Sequence, residues 1–261
     1  MKTKKYFFFD IDGTIAVGMP RYVPESTERA LNKLKEKGHF ISIATGRMHV
    51  MTTEFCEKFD IRNMVTDGGN GIVLDGKKRI EALDKEMVEK AIQAFEENDI
   101  PWSICIKDER VWHTKDERFP EAIKEVIKIP NYMQTNINPD LDIKKIDTVY
   151  KGFAYLNREQ EGKIKELKDV SYTRYSDEYI IIEADDKSKG IKEIMEIMDI
   201  EDKDVVVFGD NTNDIKMFRP EWTSIAMGNA VDSLKKIADF VTTDADKDGI
   251  EVACKHFGWI D

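Results

Sequence analysis

Two stretches of the chain alternate short apolar runs with helical apolar spacing, and a different pattern separates them. Tyr6-Phe-Phe-Phe9 is a continuous apolar run, as expected of a strand buried on both faces. Pro24 opens a helix to about Lys37, with Ala30, Leu31 and Leu34 on one face and Gly38 as its stop. A strand over 40–44, a helix over 48–59 and a short strand at 64–65 follow. Residues 72–74 and 77–80 then read as a hairpin closed by Asp75-Gly76. The alternation returns after residue 188. Ile191, Ile194, Met195 and Met198 mark an amphipathic helix, and Val205-Val-Val-Phe208 a second buried strand. A helix to Met217, a strand at 224–227, a helix at 231–238, a strand at 240–241 and a helix at 250–257 complete it. This pattern predicts an α/β fold with a doubly wound, mostly parallel, Rossmann-like sheet.

Between these stretches, strands are expected at 102–106, 110–113, 149–156, 170–175 and 179–184. Helices are expected at 85–97, 119–129 and 160–168, on one face of the sheet. The chain therefore divides into a core of residues 1–83 and 186–261, with an inserted α+β domain over 84–185.

Charged residues make up 35% of the 261, which implies a well-solvated surface around a normal core and excludes disordered or collagenous classes. The net charge of −11 argues against nucleic acid and anionic membranes as partners, though a small phosphorylated metabolite fits if a metal or local cations invert the field. Cys56, Cys105 and Cys254 are few, odd in number and unpaired in spacing, as in a reducing compartment. The apolar run ending at Asp10 is too short for a signal peptide, and a cytoplasmic location is expected.

Candidate chemistry sits where strands end. Asp10-Ile-Asp12-Gly13-Thr14 follows the first buried strand, and residues two apart can present both carboxylates to one space. Gly209-Asp210-Asn211-Thr212-Asn213-Asp214 repeats the arrangement after Phe208. Either segment alone fits an ordinary turn or helix cap, but two acidic clusters on one sheet imply a cation, and all-oxygen donors favour Mg²⁺ over zinc. Thr45-Gly46-Arg47 places a hydroxyl and helix N–H groups at a third strand end, suited to a phosphate oxygen. Lys187-Ser188-Lys189-Gly190 puts cations at a helix start, where the macrodipole opposes them unless an anion is near.

In this order the four segments resemble the motifs of the haloacid dehalogenase-like hydrolase superfamily, and the whole chain is similar to its Cof-type branch, subclass IIB, largely sugar-phosphate phosphatases. Asn70-Gly71, Ala226-Met-Gly-Asn-Ala230 and Ala238-Asp239 before Phe240-Val-Thr242 also match; Asn211 departs mildly, standing where a glycine is frequent. The resemblance implies an Mg²⁺-dependent phosphatase with Asp10 as nucleophile and Asp12 as general acid–base. It places the metal on the carboxylates of Asp10 and Asp210 and the Asp12 carbonyl, with Asp214 as direct or indirect ligand. It assigns the phosphoryl cradle to Thr45, Lys189, Asn213 and the N–H groups of Ile11 and Gly46. Lys189 is preferred to Lys187 because the family pattern puts its lysine directly before the glycine.

The 144-residue separation of Thr45 and Lys189 implies that the inserted domain covers the strand ends as a lid. Trp102, Trp112, His113, Tyr150, Lys151 and Tyr179 are candidate leaving-group contacts, although packing explains each singly. Other readings compete. A phosphomutase of the same superfamily would retain these motifs, and a phospho-acceptor signalling domain would use similar acidic strand ends. Asp244-x-Asp246-x-Asp248-Gly249 resembles half an EF-hand loop, but its twelfth position is Lys255 where a bidentate Glu is needed. The substrate and the oligomeric state stay open.

Overall fold

The structure is a computed structural model describing residues 4–18, 21–127 and 132–261. In chain order the strands are β1 (Tyr6–Phe9), β2 (Phe40–Ala44), β3 (Asn63–Thr66), β4 (Gly71–Leu74), β5 (Lys77–Ile80), β6 (Trp102–Cys105), β7 (Val111–Thr114), β8 (Gln134–Ile137), β9 (Lys151–Tyr155), β10 (Tyr172–Arg174), β11 (Tyr179–Ile182), β12 (Val205–Gly209), β13 (Thr223–Ala226) and β14 (Phe240–Val241). The α-helices are α1 (Glu25–Glu36), α2 (His49–Lys58), α3 (Lys85–Glu97), α4 (Arg118–Lys124), α5 (Arg158–Glu161), α6 (Lys187–Met198), α7 (Asp232–Lys235) and α8 (Gly249–His256).

The chain separates into two compact units, one of residues 1–46, 53–79 and 186–261, the other of 47–52 and 80–185. The cut through α2 was not visible in the spacing. Met48 explains it: this fully covered side chain packs with Cys105, Trp112 and Phe119 of the second unit.

The first unit holds an eight-stranded sheet in the order β14-β13-β12-β1-β2-β3-β4-β5. Its strands from β14 to β3 are parallel, and β4 runs antiparallel to β3. Phe7 and Phe9 of β1 enter one apolar layer with Leu31 and Leu34 of α1 and Ile250 and Cys254 of α8. Phe8 enters the opposite layer with Ile191 and Ile194 of α6. That alternation is why β1 must be apolar at every position. The β4–β5 turn has positive φ at both Asp75 (49°) and Gly76 (77°), the geometry that favours Asp-Gly.

The second unit holds a six-stranded sheet, β10-β11-β9-β6-β7-β8. Helices cover both of its faces rather than the expected one. α3 packs with Trp102, Ile104, Ala154 and Ile180 on one side, whereas α4 packs with Cys105, Phe153 and Tyr179 on the other. Several strands are shorter than expected, and β8 has no apolar signature because all four of its residues are exposed. The helix expected at 119–129 is α4, ending at Lys124; positions 128 and 129 lie outside the described residues. The helix expected at 160–168 is the short α5 followed by a 3₁₀ turn over Lys165–Asp169.

Candidate active site

In the first sheet β1 lies between β12 and β2, and the chain winds outward in opposite directions from β1 and β12. The carboxyl ends of β1 and β12 therefore flank the topological switch point, where open α/β sheets bind ligands. Asp10 follows β1 and Asp210 follows β12, with the Asp10 N–H donating to the Phe208 carbonyl at 3.0 Å. The turn after Asp10 requires glycine at position 13: φ is +92°, and a Cβ there would lie 2.2 Å from Asp210 Oδ2. Thr14 Oγ1 donates to Asp210 Oδ1 at 3.1 Å.

Asp214 is fully buried in a 3₁₀ turn over Thr212–Met217, where an α-helix had been expected. Its Oδ2 accepts the N–H groups of Asp210 (2.9 Å) and Asn211 (3.0 Å), so this carboxylate caps the turn and points inward. Carboxylate oxygens of Asp10, Asp210 and Asp214 lie within 4.8 Å of one another. The Lys187 ammonium reaches this group. Lys187 Nζ donates to Asp10 Oδ1 at 2.6 Å and to Asp214 Oδ1 at 2.5 Å.

Burial pushes the Asp10 carboxyl from 3.8 up to about 7; Lys187 opposes the shift, and the charges of Asp214 and Asp12 add to it. Burial likewise raises Asp210 to about 8, reinforced by Asp10 and Asp214. For Lys187, burial works against the charged form, but Asp10 and Asp214 outweigh it and hold the ammonium protonated. Three carboxylates thus face one buried ammonium, a cluster whose geometry could also hold a metal ion.

The preference for Lys189 is corrected by this geometry. Lys189 is exposed, and its Nζ donates to Asn70 Oδ1 at 2.9 Å, whereas it is the Lys187 Nζ that bonds Asp10 and Asp214. α6 starts at Lys187, and two residues further on a side chain points about 200° round the axis. Gly190 serves packing instead, since a Cβ there would meet Val65 Cγ1 at 2.6 Å. The signal for Lys187 was present in the apolar stripe: it precedes Ile191 by four residues and Ile194 by seven, on the core-facing side.

Ile11 and Gly46 are buried, as is Thr45, which follows β2 two residues beyond the Phe9–Ile43 register pair. Asn213 is half-buried, one residue before Asp214. The Asp12 side chain stands apart from the three converging carboxylates, with Arg21 Nε 2.6 Å from its Oδ1. Sequence reasoning missed Arg21 entirely. It also gave no role to Asn229, which donates to the Gly13 carbonyl at 2.9 Å and accepts from the Ala245 N–H at 2.8 Å, bracing the turn after Asp10. In the second unit Trp102, Trp112 and Tyr179 are packing residues, and Lys151 forms a buried pair with Glu183 at 2.6 Å.

Haloacid dehalogenase-like hydrolases match residues 7–253. The chain belongs to this family. A Bacillus subtilis protein named "Putative phosphatase YkrA" is 28% identical over 97% of this chain and 98% of its own length. Among solved structures, a subclass IIB sugar phosphatase superposes with a TM-score of 0.80 at 28% identity, covering 98% of this chain and all of the other. A phosphatase from Bacteroides thetaiotaomicron reaches a TM-score of 0.83 at 26% identity, over 98% and 96% of the two chains. This hydrolase's donor set fits a hard divalent cation: among the described residues the converging groups are all carboxylates, with neither thiolate nor imidazole in the cluster. Among the described residues no helix is long and apolar enough to cross a membrane.

Proposed function

We propose that this hydrolase is an Mg²⁺-dependent phosphatase of small phosphate monoesters, sugar phosphates foremost, working through an aspartyl phosphate on Asp10. One observation carries the reading: a buried carboxylate at the end of β1 meets two more from β12 and one buried lysine at the switch point of the sheet. The sugar phosphatase of similar fold supports the substrate class.

Asp10, Asp210 and Asp214 would hold Mg²⁺ together with the Asp12 carbonyl, and the ion would supply positive charge to the phosphoryl oxygens. Asp10 attacks phosphorus with a carboxylate oxygen, the bond from phosphorus to the ester oxygen breaks, and Asp12 gives its proton to the departing alcohol. Water then attacks the phosphorus, Asp12 takes the water's proton, and phosphate leaves with the Asp10 carboxylate restored. Lys187 favours the ionised form of Asp10 against the effect of burial and fixes the carboxylate for attack. Thr45, Asn213 and the N–H groups of Ile11 and Gly46 are assigned to the phosphoryl oxygens. The inserted unit is assigned to selecting the leaving group.

A screen of phosphate esters, ranked by kcat/KM with and without Mg²⁺, tests the reading. Phosphate release should vanish in chelator and return with Mg²⁺, whereas full activity after exhaustive chelation would rule the metal out. A mutase would give an isomeric phosphate in place of free phosphate, and a signalling domain a stable phosphoprotein.

The raised carboxyls set a pH dependence as well. Asp10 and Asp210 bind protons more tightly folded than unfolded, so their stabilising effect is complete below pH about 4 and is lost as pH rises through about 7 to 8. In chelator, Tm should therefore fall between pH ~5.5 and ~8.5, and Mg²⁺ should raise Tm most at the alkaline end. Asp210→Asn should flatten that slope. A metal-free Tm with the same slope in wild type and variant would contradict the assignment.

A further inference from the structure

Directly after the proposed nucleophile, residues 12–17 and Tyr22 are joined by short backbone bridges. Asp12 bridges to Ala16 and Val17 to Tyr22, the latter through a reciprocal pair of hydrogen bonds at 2.9 and 3.0 Å. The Gly13 N–H also donates to the Ala16 carbonyl at 2.8 Å. This double return brings Arg21 against Asp12, with Nε 2.6 Å from Oδ1. The two side chains are 42% and 33% exposed, a setting in which an ion pair adds little to stability.

Orientation is a different matter. Asp12 lies outside the triad that Lys187 and the backbone N–H groups of Asp210 and Asn211 hold in place. A carboxylate that is one-third exposed must still be held in one orientation to meet a departing oxygen. Proton transfer requires the carboxyl within hydrogen-bond reach of that oxygen, and small misplacements are costly in rate. A planar guanidinium grips a carboxylate more directionally than an ammonium does. We propose that Arg21 is a positioning residue that aims the Asp12 carboxylate, an inference resting on the acid–base reading of Asp12 given above.

The test is a double-mutant cycle on the full chain with Mg²⁺, using p-nitrophenyl phosphate and phenyl phosphate as probes. Phenolate, the poorer leaving group, depends more on protonation. Arg21→Gln should lower kcat on phenyl phosphate about tenfold with KM nearly unchanged, and should cost less on the nitrophenyl ester. Arg21→Lys should recover part of the loss. In an Asp12→Asn background, Arg21→Gln should add less than about twofold, because nothing is left to aim. An equal loss with and without the Asp12 carboxylate, or no loss on either ester, would overturn the proposal while leaving the phosphatase reading intact. If Asp12→Asn itself left turnover on phenyl phosphate unchanged, the acid–base reading would fall and this inference with it. Matching Tm values across the four proteins separate these outcomes from misfolding.

Discussion

Lys187→Ala should lower kcat/KM by at least about 10²-fold, comparable with removing one preorganised donor from an oxyanion site. Lys189→Ala should behave as a surface change, within about 0.5 kcal/mol in stability and with near-native kinetics. The contrast follows from where one turn of helix points two similar side chains. Lys187 Nζ touches Asp10 and Asp214 inside the protein, whereas Lys189 reaches the Asn70 side chain at the surface. Without Lys187, two buried carboxylates face each other with no ammonium between them, and losing one partner of a buried ion pair costs about 3–5 kcal/mol. Mg²⁺ should return part of that stability, so both variants are best compared at saturating metal, by Tm and by turnover of one ester. Lys187→Met keeps most of the side-chain volume without the charge and guards against a simple packing defect. A large loss at Lys189 with Lys187 spared would mean that the buried ammonium has no part in the reaction.

The two lysines also mark what the sequence could convey. β1 and β12 were legible because a strand buried on both faces must be apolar at every position, and the first carboxylate after such a run stands out. Asp10, Asp210 and Asp214 were legible for the same reason. Lys187 was legible only through the stripe it shares with Ile191 and Ile194, and the glycine beside Lys189 obscured it. That glycine answers to the close approach of Val65, a contact between distant segments that spacing cannot express. Arg21 was hidden for a related reason: its meeting with Asp12 depends on backbone bridges within an irregular turn, which carry no periodicity. The same limit explains β8, whose polar residues pair at an exposed edge, and the 3₁₀ turn after Asn211. There the Asp214 carboxylate takes the first N–H groups and also serves the site, so local geometry follows the chemistry more than helix propensity.

Asp10→Asn is the sharpest test of the covalent mechanism, because the substitution is nearly isosteric and separates nucleophilicity from folding. An amide cannot form the acyl phosphate, so turnover should drop by at least about 10³-fold, in the range seen when an enzyme loses its nucleophile. Stability should move the other way. Burial holds the Asp10 carboxyl at about 7, so near neutral pH the ionised group is a strained occupant of its site, and an uncharged amide relieves repulsion from Asp214 and Asp12. In chelator at pH ~8, the variant should therefore melt no lower than wild type, and Mg²⁺ should stabilise it less, one carboxylate ligand having been removed. Asp12→Asn gives the complementary pattern. Asp10 can still attack an ester with a good leaving group, but no base remains to activate water, so phosphate bound to the protein should accumulate as an acid-stable, hydroxylamine-labile adduct. Denaturing mass spectrometry after brief incubation with p-nitrophenyl phosphate would detect one added phosphoryl group, absent in the Asp10→Asn, Asp12→Asn double variant. Near-native turnover by Asp10→Asn would show that water attacks the ester directly, with Asp10 serving only to hold the metal.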